Sequence, residues 1–231
     1  MDTCAVVPAL DAAATIGAVV RGLGELGLPV IVVDDGSRDA TGDVAHAAGA
    51  GVVRHEHNRG KGAAIRTGLA EAERRGIATA LTVDADGQHP PEAARVVLDA
   101  SRDPTALVLG VRDLVAAGAP RSNRFGNGVS NFFLSLFARR TLRDTQCGLR
   151  RYPVRETLAL GARADGFAFE AEVILRALSA GLPVVEVPVS VLYPSREERR
   201  THFHNVRDPA SIVGTVVRTV LELHTGRGGG S

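Results

Sequence analysis

The chain has 231 residues and a mass of 24.1 kDa, 45% of them hydrophobic and 23% charged, enough for one buried core and too apolar for wholesale disorder. Its net charge of +1 conceals opposed halves, −5 over residues 1–110 and +6 over residues 111–231. That division argues against a nucleic-acid partner, which wants a basic field throughout, and permits a cation-binding half facing an anion-binding half.

In chain order, Ala5–Val7 and Val30–Val33 are continuous, β-branched runs, the pattern of strands buried on both faces. Between them, Ile16, Val19, Val20, Leu23 and Leu26 predict a helix over 15–26. Further strands are predicted at Val52-Val53, Ala80–Val83 and Ala106–Leu109, with helices over Ala40–Ala48, Gly62–Arg75 and Pro91–Ala100. Such alternation implies βαβ units and a mainly parallel sheet flanked by helices. After Val111 a Gly/Pro/Ala-rich loop leads to a helix over Asn123–Arg140, a polar turn at 143–148 and a strand over Leu149–Tyr152. A helix over Phe169–Ala180, a strand over Val184–Val191 broken by Pro188, and a helix over Asp208–Leu223 complete the pattern.

The last six residues, Gly-Arg-Gly-Gly-Gly-Ser, predict a flexible tail. Residues 1–225 are expected to form one domain, with 1–110 as a ligand-binding half and 111–225 as its elaboration. Cys4 and Cys147 are too few for a disulfide scaffold and fit a reducing cytosol. No charged-then-apolar leader opens the chain, and no apolar run approaches the ~20 residues that span a bilayer. The expectation is a cytoplasmic protein, soluble or peripheral on a membrane surface.

Ligands of parallel sheets gather at the carboxyl ends of the strands. Two such ends are acidic: Val33 runs into Asp34-Asp35-Gly36-Ser37, and Val83 into Asp84-Ala85-Asp86-Gly87-Gln88-His89. Asp84 and Asp86 would repel one another unless a cation or hydrogen-bond donors hold them. Their hard oxygens suit Mg²⁺ or Mn²⁺, with Gln88 adding a carbonyl oxygen and substrate phosphates completing the shell. An acidic residue after Val33 can accept from a ribose hydroxyl or a base N–H, while Asp-Gly-Ser is also ordinary turn chemistry. Asn58-Arg59-Gly60-Lys61-Gly62 holds the only lysine and opens a helix whose amides can cradle a phosphate. It is not a P-loop, and a plain helix-start turn accounts for it equally well. The seven histidines show no metal spacing, and His202 and His204 lie in a basic segment suited to anions. Cys147, beside a glycine, fits a packed small residue.

The aromatic residues are placed as unevenly as the charge: seven Phe and two Tyr occur, none before Phe125. Any Phe, Tyr or Trp ring that meets a ligand of the first half must therefore come from the second half folding over.

The ordered set Val6-Val7-Pro8-Ala9, Val33-Asp34-Asp35-Gly36-Ser37, Asn58-Arg59-Gly60-Lys61-Gly62-Ala63, Asp84-Ala85-Asp86-Gly87-Gln88-His89, Asp144-Thr145-Gln146-Cys147-Gly148-Leu149-Arg150 and Phe169-Glu170-Ala171-Glu172 resembles family 2 glycosyltransferases of the GT-A fold. The branch it resembles is that of dolichyl- or polyprenyl-phosphate sugar transferases and related bacterial lipid-linked enzymes. Thr201-His202-Phe203 with Arg207-Asp208 is similar to some bacterial members. The resemblance implies an α/β, Rossmann-like sheet with an acceptor-side elaboration at the C-terminal end. It implies an inverting transfer from a nucleotide-diphosphate sugar to a lipid-linked acceptor, polyprenyl phosphate foremost.

By the same resemblance, Pro8, Ala9, Asp35, Lys61 and the Asp84-Ala85-Asp86 segment would hold the nucleotide-sugar. Asp84, Asp86 and Gln88 would ligate the metal, and Asp86 counts among the catalytic residues. Arg121 or Arg124, with Arg196, Arg200 and His202, would meet donor or acceptor phosphate. Where the family usually has Asn-Glu, this chain has Asp11-Ala12, so the base is left open and Asp11 stands in for part of the usual contact. A lipid phosphate needs no general base; a hydroxyl on another membrane lipid or glycan would, and Asp144 is the candidate. Ordering the turn through backbone hydrogen bonds is an equal alternative for Asp144. The Phe/Leu face of 123–140, ending in Arg139, Arg140 and Arg143, suits an anionic membrane surface, or else a core. A sugar-nucleotide pyrophosphorylase lacks its usual Gly-rich opening loop here. That alternative, like a non-catalytic interaction domain, leaves the pair of acidic strand ends unexplained.

Overall fold

The computed structural model describes residues 2–192 and 207–226, without the side chains of 121–123, 207–210 and 224–226. The first half alternates β1 (Thr3–Ala9), α1 (Ile16–Glu25), β2 (Val30–Asp34), α2 (Thr41–Ala47), β3 (Gly51–Arg54), α3 (Lys61–Arg74), β4 (Thr79–Thr82) and α4 (Pro91–Asp99). There follow β5 (Leu107–Arg112), α5 (Arg121–Ala138), β6 (Arg150–Pro153), α6 (Val154–Ala159), α7 (Ala168–Ser179), β7 (Val184–Val189) and α8 (Arg207–Gly226).

The strands form one seven-stranded sheet in the order β3-β2-β1-β4-β6-β5-β7. Only β6 runs against the others, between β4 and β5. The β-branched runs have the predicted cause, two covered faces. Along β1, Cys4 and Val6 join the cluster beneath α3 and α7, while Ala5 and Val7 join the one beneath α1 and α4. From β1 the order runs one way to β2 and the other way to β4, a topological switch point whose carboxyl-end crevice is the favoured ligand site of such sheets.

The structure departs from the sequence expectation in a few places. β4 ends at Thr82, so Val83 already belongs to the acidic loop. β6 begins at Arg150 rather than Leu149, and α6 is a six-residue helix too short to leave a periodic signal. β7 runs unbroken through Pro188, since an edge strand tolerates a residue without an N–H.

Two consecutive arginines are buried in β6. Arg150 donates to the carbonyls of Cys147, Thr145 and Glu170 at 2.8–2.9 Å, tying the turn before β6 to α7. Arg151, on the other face, donates to the carbonyls of Leu98, Ser101 and Asp103 around the end of α4. Removing the Arg150 guanidinium strands three buried carbonyls and leaves the buried Glu170 charge to Lys61 alone. Arg150→Met is expected to lower the unfolding free energy by about 3–5 kcal/mol, measured by urea denaturation; an unchanged midpoint would contradict this.

Candidate active site

The loops after β1, β2 and β4 meet at the switch point. Asp11, with φ of 48°, donates its amide to Ser37 Oγ and accepts the Arg38 amide on its carboxylate, which links the first two loops. Pro8 and Ala9 close the β1–β2 ladder, and the Ala9 carbonyl accepts from the Asp35 amide. Asp35 is buried, and its carboxylate accepts from the amides of Arg59 and Gly60, which fixes the loop carrying Lys61. Gly60 has φ of 92°, and a Cβ there would strike the Asp165 carbonyl.

Lys61 opens α3 and reaches the acidic loop. Its Nζ lies 2.7 Å from Asp84 Oδ1 and 3.3 Å from Glu170 Oε2, with the Phe167 ring at 5.5 Å. Burial works against the ammonium, but the Asp84 and Glu170 charges outweigh it, so the Lys61 pKa is raised. Burial likewise works against Asp84, and Lys61, followed by His89, holds that carboxyl below its ordinary range.

Asp86 keeps contact with solvent, yet desolvation by its surroundings, followed by the Asp84 charge, pushes its carboxyl up to about 6. Negative charge is thus under-compensated at Asp86. Its Oδ1 accepts the Gln88 amide, the Gln88 carbonyl accepts from Leu192, and the Ala85 carbonyl accepts from Thr15. Burial lowers the His89 imidazole to about 4, so it is neutral, and its Nδ1 finds no hydrogen-bond partner among the described residues.

Beneath Asp84 lies the turn before β6. A Cβ on Gly148 would fall on the Asp84 carboxylate, so only glycine allows this approach. Asp144 is fully buried, and its carboxylate accepts from the Arg112 amide, from Arg112 Nε at 2.7 Å and from Arg112 Nη2 at 3.0 Å. The Gln146 amide adds a fourth donor at 3.3 Å.

The structure therefore brings together Asp84, Ala85, Asp86, Gln88 and Lys61, and places Pro8, Ala9, Asp11 and Asp35 at the adjoining strand ends. Arg124 is partly buried on α5, its Nε without a partner among the described residues. The side chain of Arg121, and Arg196, Arg200 and His202 altogether, lie outside the described residues. The sequence patterns assign no role to Glu170, Arg112, His55 or Gly148. Glu170 and Gly148 stand inside segments that carry the family resemblance, which is their only signal; Arg112 and His55 have none.

A family comparison decides the identity. The family model of glycosyl transferase family 2 matches residues 4–153. The chain belongs to that family. Dolichyl-phosphate hexose transferase of Haloferax volcanii is 29% identical over 227 residues, covering 96% of this chain and 95% of that protein. Polyprenol monophosphomannose synthase of Mycolicibacterium smegmatis is 32% identical over 178 residues, covering 70% of this chain and 65% of that one. Glucosyl-3-phosphoglycerate synthase of Mycobacterium tuberculosis, solved with Mn²⁺, uridine diphosphate and phosphoglyceric acid, superposes with a TM-score of 0.73. At 20% identity over 96% of this chain and 78% of that one, it shares the fold. This family 2 glycosyltransferase thus has the expected GT-A sheet.

Because Gly148 makes room for Asp84, Gly148→Ala is expected to slow glycosyl transfer about 10²-fold while the protein remains folded with a lowered thermal midpoint. Activity and melting on one preparation check this; full activity would contradict it.

Proposed function

We propose that this glycosyltransferase moves a sugar, with inversion, from a nucleoside diphosphate to a lipid phosphate of the polyprenyl or dolichyl kind. The observation that carries the donor side is the Lys61–Asp84–Asp86 cluster at the switch point. The named activities of the Haloferax and Mycolicibacterium relatives support the acceptor class.

Asp84 and Asp86 fit Mg²⁺ or Mn²⁺: both offer carboxylate oxygens, and the raised Asp86 carboxyl marks charge that a cation relieves. Gln88 would add an oxygen. Donor phosphates would complete the shell, as they commonly do for Mg²⁺. The ion, when bound, supplies Lewis-acid stabilisation of the departing diphosphate.

The chain's own residues do the rest. Lys61 holds Asp84 in place, and Asp35 fixes the loop beside the nucleotide. The acceptor oxygen attacks the anomeric carbon on the face opposite the diphosphate. The new C–O bond forms as the old one breaks, and its electron pair leaves on the nucleoside diphosphate. A phosphate acceptor is already anionic, so no side chain has to take a proton. Four hydrogen bonds occupy the Asp144 carboxylate, and we assign it to holding Arg112 and the 143–146 turn.

The acceptor side is built on α5. This helix buries Asn127 and Ser130 beside the core residue Leu134, yet exposes Phe125, Phe132 and Leu136. Its polar face staples the turn, with Asn131 taking Thr145 and Gln146 reaching Ser130. Exposed Arg139, Arg140 and Arg143 follow the apolar face. No helix among the described residues is long and apolar enough to cross a membrane. We assign this face to an anionic bilayer, the rings entering the interface and the arginines meeting lipid phosphates, on the cytoplasmic side.

Two experiments test the proposal. With Mn²⁺ and a panel of UDP-, GDP- and dTDP-sugars, the protein is expected to release nucleotide from one of them. Asp86→Ala abolishes that release while circular dichroism stays native; full activity in the variant sinks the assignment. Flotation with phosphatidylglycerol vesicles should carry the protein upward at low salt and less at high salt. Phe132→Asp should remain at the bottom, and absence of wild-type binding at low salt would refute the membrane face.

A further inference from the structure

A second histidine, remote from the acidic loop, is built into the same site. His55 follows β3, and its side chain and that of Asp35 are each about 5% exposed. His55 Nδ1 lies 2.6 Å from Asp35 Oδ1, and since a carboxylate can only accept, the imidazole donates there. His55 Nε2 lies 2.9 Å from Thr67 Oγ1 on α3, a hydroxyl able to donate or accept. Asp35 Oδ1 also takes the Arg59 amide at 3.0 Å, and Oδ2 takes the Gly60 amide at 2.8 Å. The Gly60 amide is shared with Asn58 Oδ1 at 2.9 Å. The next residue is Lys61.

We propose that His55 is a positioning residue of the donor site. It clamps the Asp35 carboxylate between α3 and the 58–60 loop, and that carboxylate in turn sets Lys61 against Asp84. Three of the four acceptor positions of Asp35 are then committed to the protein, leaving one for a nucleotide hydroxyl or N–H. The catalytic meaning of this clamp rests on the donor-site reading above; the clamp itself does not.

Lys61 is the only lysine, so a lysine-specific endoproteinase has a single site, the Lys61–Gly62 bond in the first turn of α3. Cutting there requires the turn to open, and the rate follows the open population. In the full-length protein, His55→Ala is expected to be cut about tenfold faster than wild type, the effect of losing one buried charge-assisted hydrogen bond. His55→Asn, whose amide reproduces the Nδ1 donor, is expected to restore the wild-type rate. Thr67→Val, which spares the bond to Asp35, should accelerate cleavage by less than His55→Ala. Urea denaturation of each variant measures global stability alongside. Wild-type cleavage of a folded His55→Ala protein overturns the proposal, as does an acceleration that merely matches its loss of global stability. If His55→Ala does not fold, Thr67→Val decides, and wild-type cleavage of that variant overturns it. No sugar donor enters the assay, so its failure leaves the transferase reading intact, and failure of transfer leaves the clamp intact.

Discussion

Burial works against the charge on the Lys61 ammonium. Asp84 and Glu170 oppose it, and the site depends on that balance. The same contact solves a second problem, because Asp84 and Asp86 stand two residues apart and repel. Lys61 satisfies Asp84 and leaves Asp86 as the carboxylate short of positive charge. The cluster draws its members from α3, the loop after β4 and α7. Arg150 closes it from below, bonding the Glu170 carbonyl and the turn that presents Gly148 to Asp84. A sheet with its switch point between β1 and β4 is what lets such distant residues converge.

The division of the chain follows from this arrangement. The first half carries the acidic strand ends and no Phe, Tyr or Trp. The Phe167 ring, supplied by the second half, lies 5.5 Å from Lys61 Nζ. The second half also carries the excess of arginine, two of them buried as ties between backbone segments and others exposed beyond the apolar face of α5. An acidic first half and an arginine-rich second half suit the proposed transfer from a nucleoside diphosphate to a lipid phosphate.

Much of the fold and the acidic half of the site are legible in the order of the amino acids. Strands covered on both faces leave continuous runs such as Val30–Val33, and parallel strands send their ligands to one edge, so the acidic ends at Asp35, Asp84 and Asp86 can be read as candidates and do meet at the switch point. Lys61 does so less firmly, because its motif also suits a plain helix start. Partners fixed only by tertiary packing stay hidden. Glu170 lies 109 residues from Lys61 in sequence, and Arg112 lies 32 residues from Asp144. No local pattern pairs them. Asp144 shows the consequence: its turn suggests either a base or a structural group, and only the Arg112 contact favours the second. On α5 the periodicity is right but only in part, since Leu134 is buried in the core while Asn127 and Ser130 are buried too and Phe132 is exposed.

The claim that ties these features together is that the acceptor brings its own negative charge. It is tested most directly by offering the enzyme a radiolabelled nucleotide-sugar, Mn²⁺ and either polyprenyl phosphate or the matching free polyprenol, then counting label in the organic phase. The account predicts sugar on the phosphate lipid and essentially none on the alcohol. Equal or greater labelling of the alcohol would contradict it and return Asp144 to the role of base.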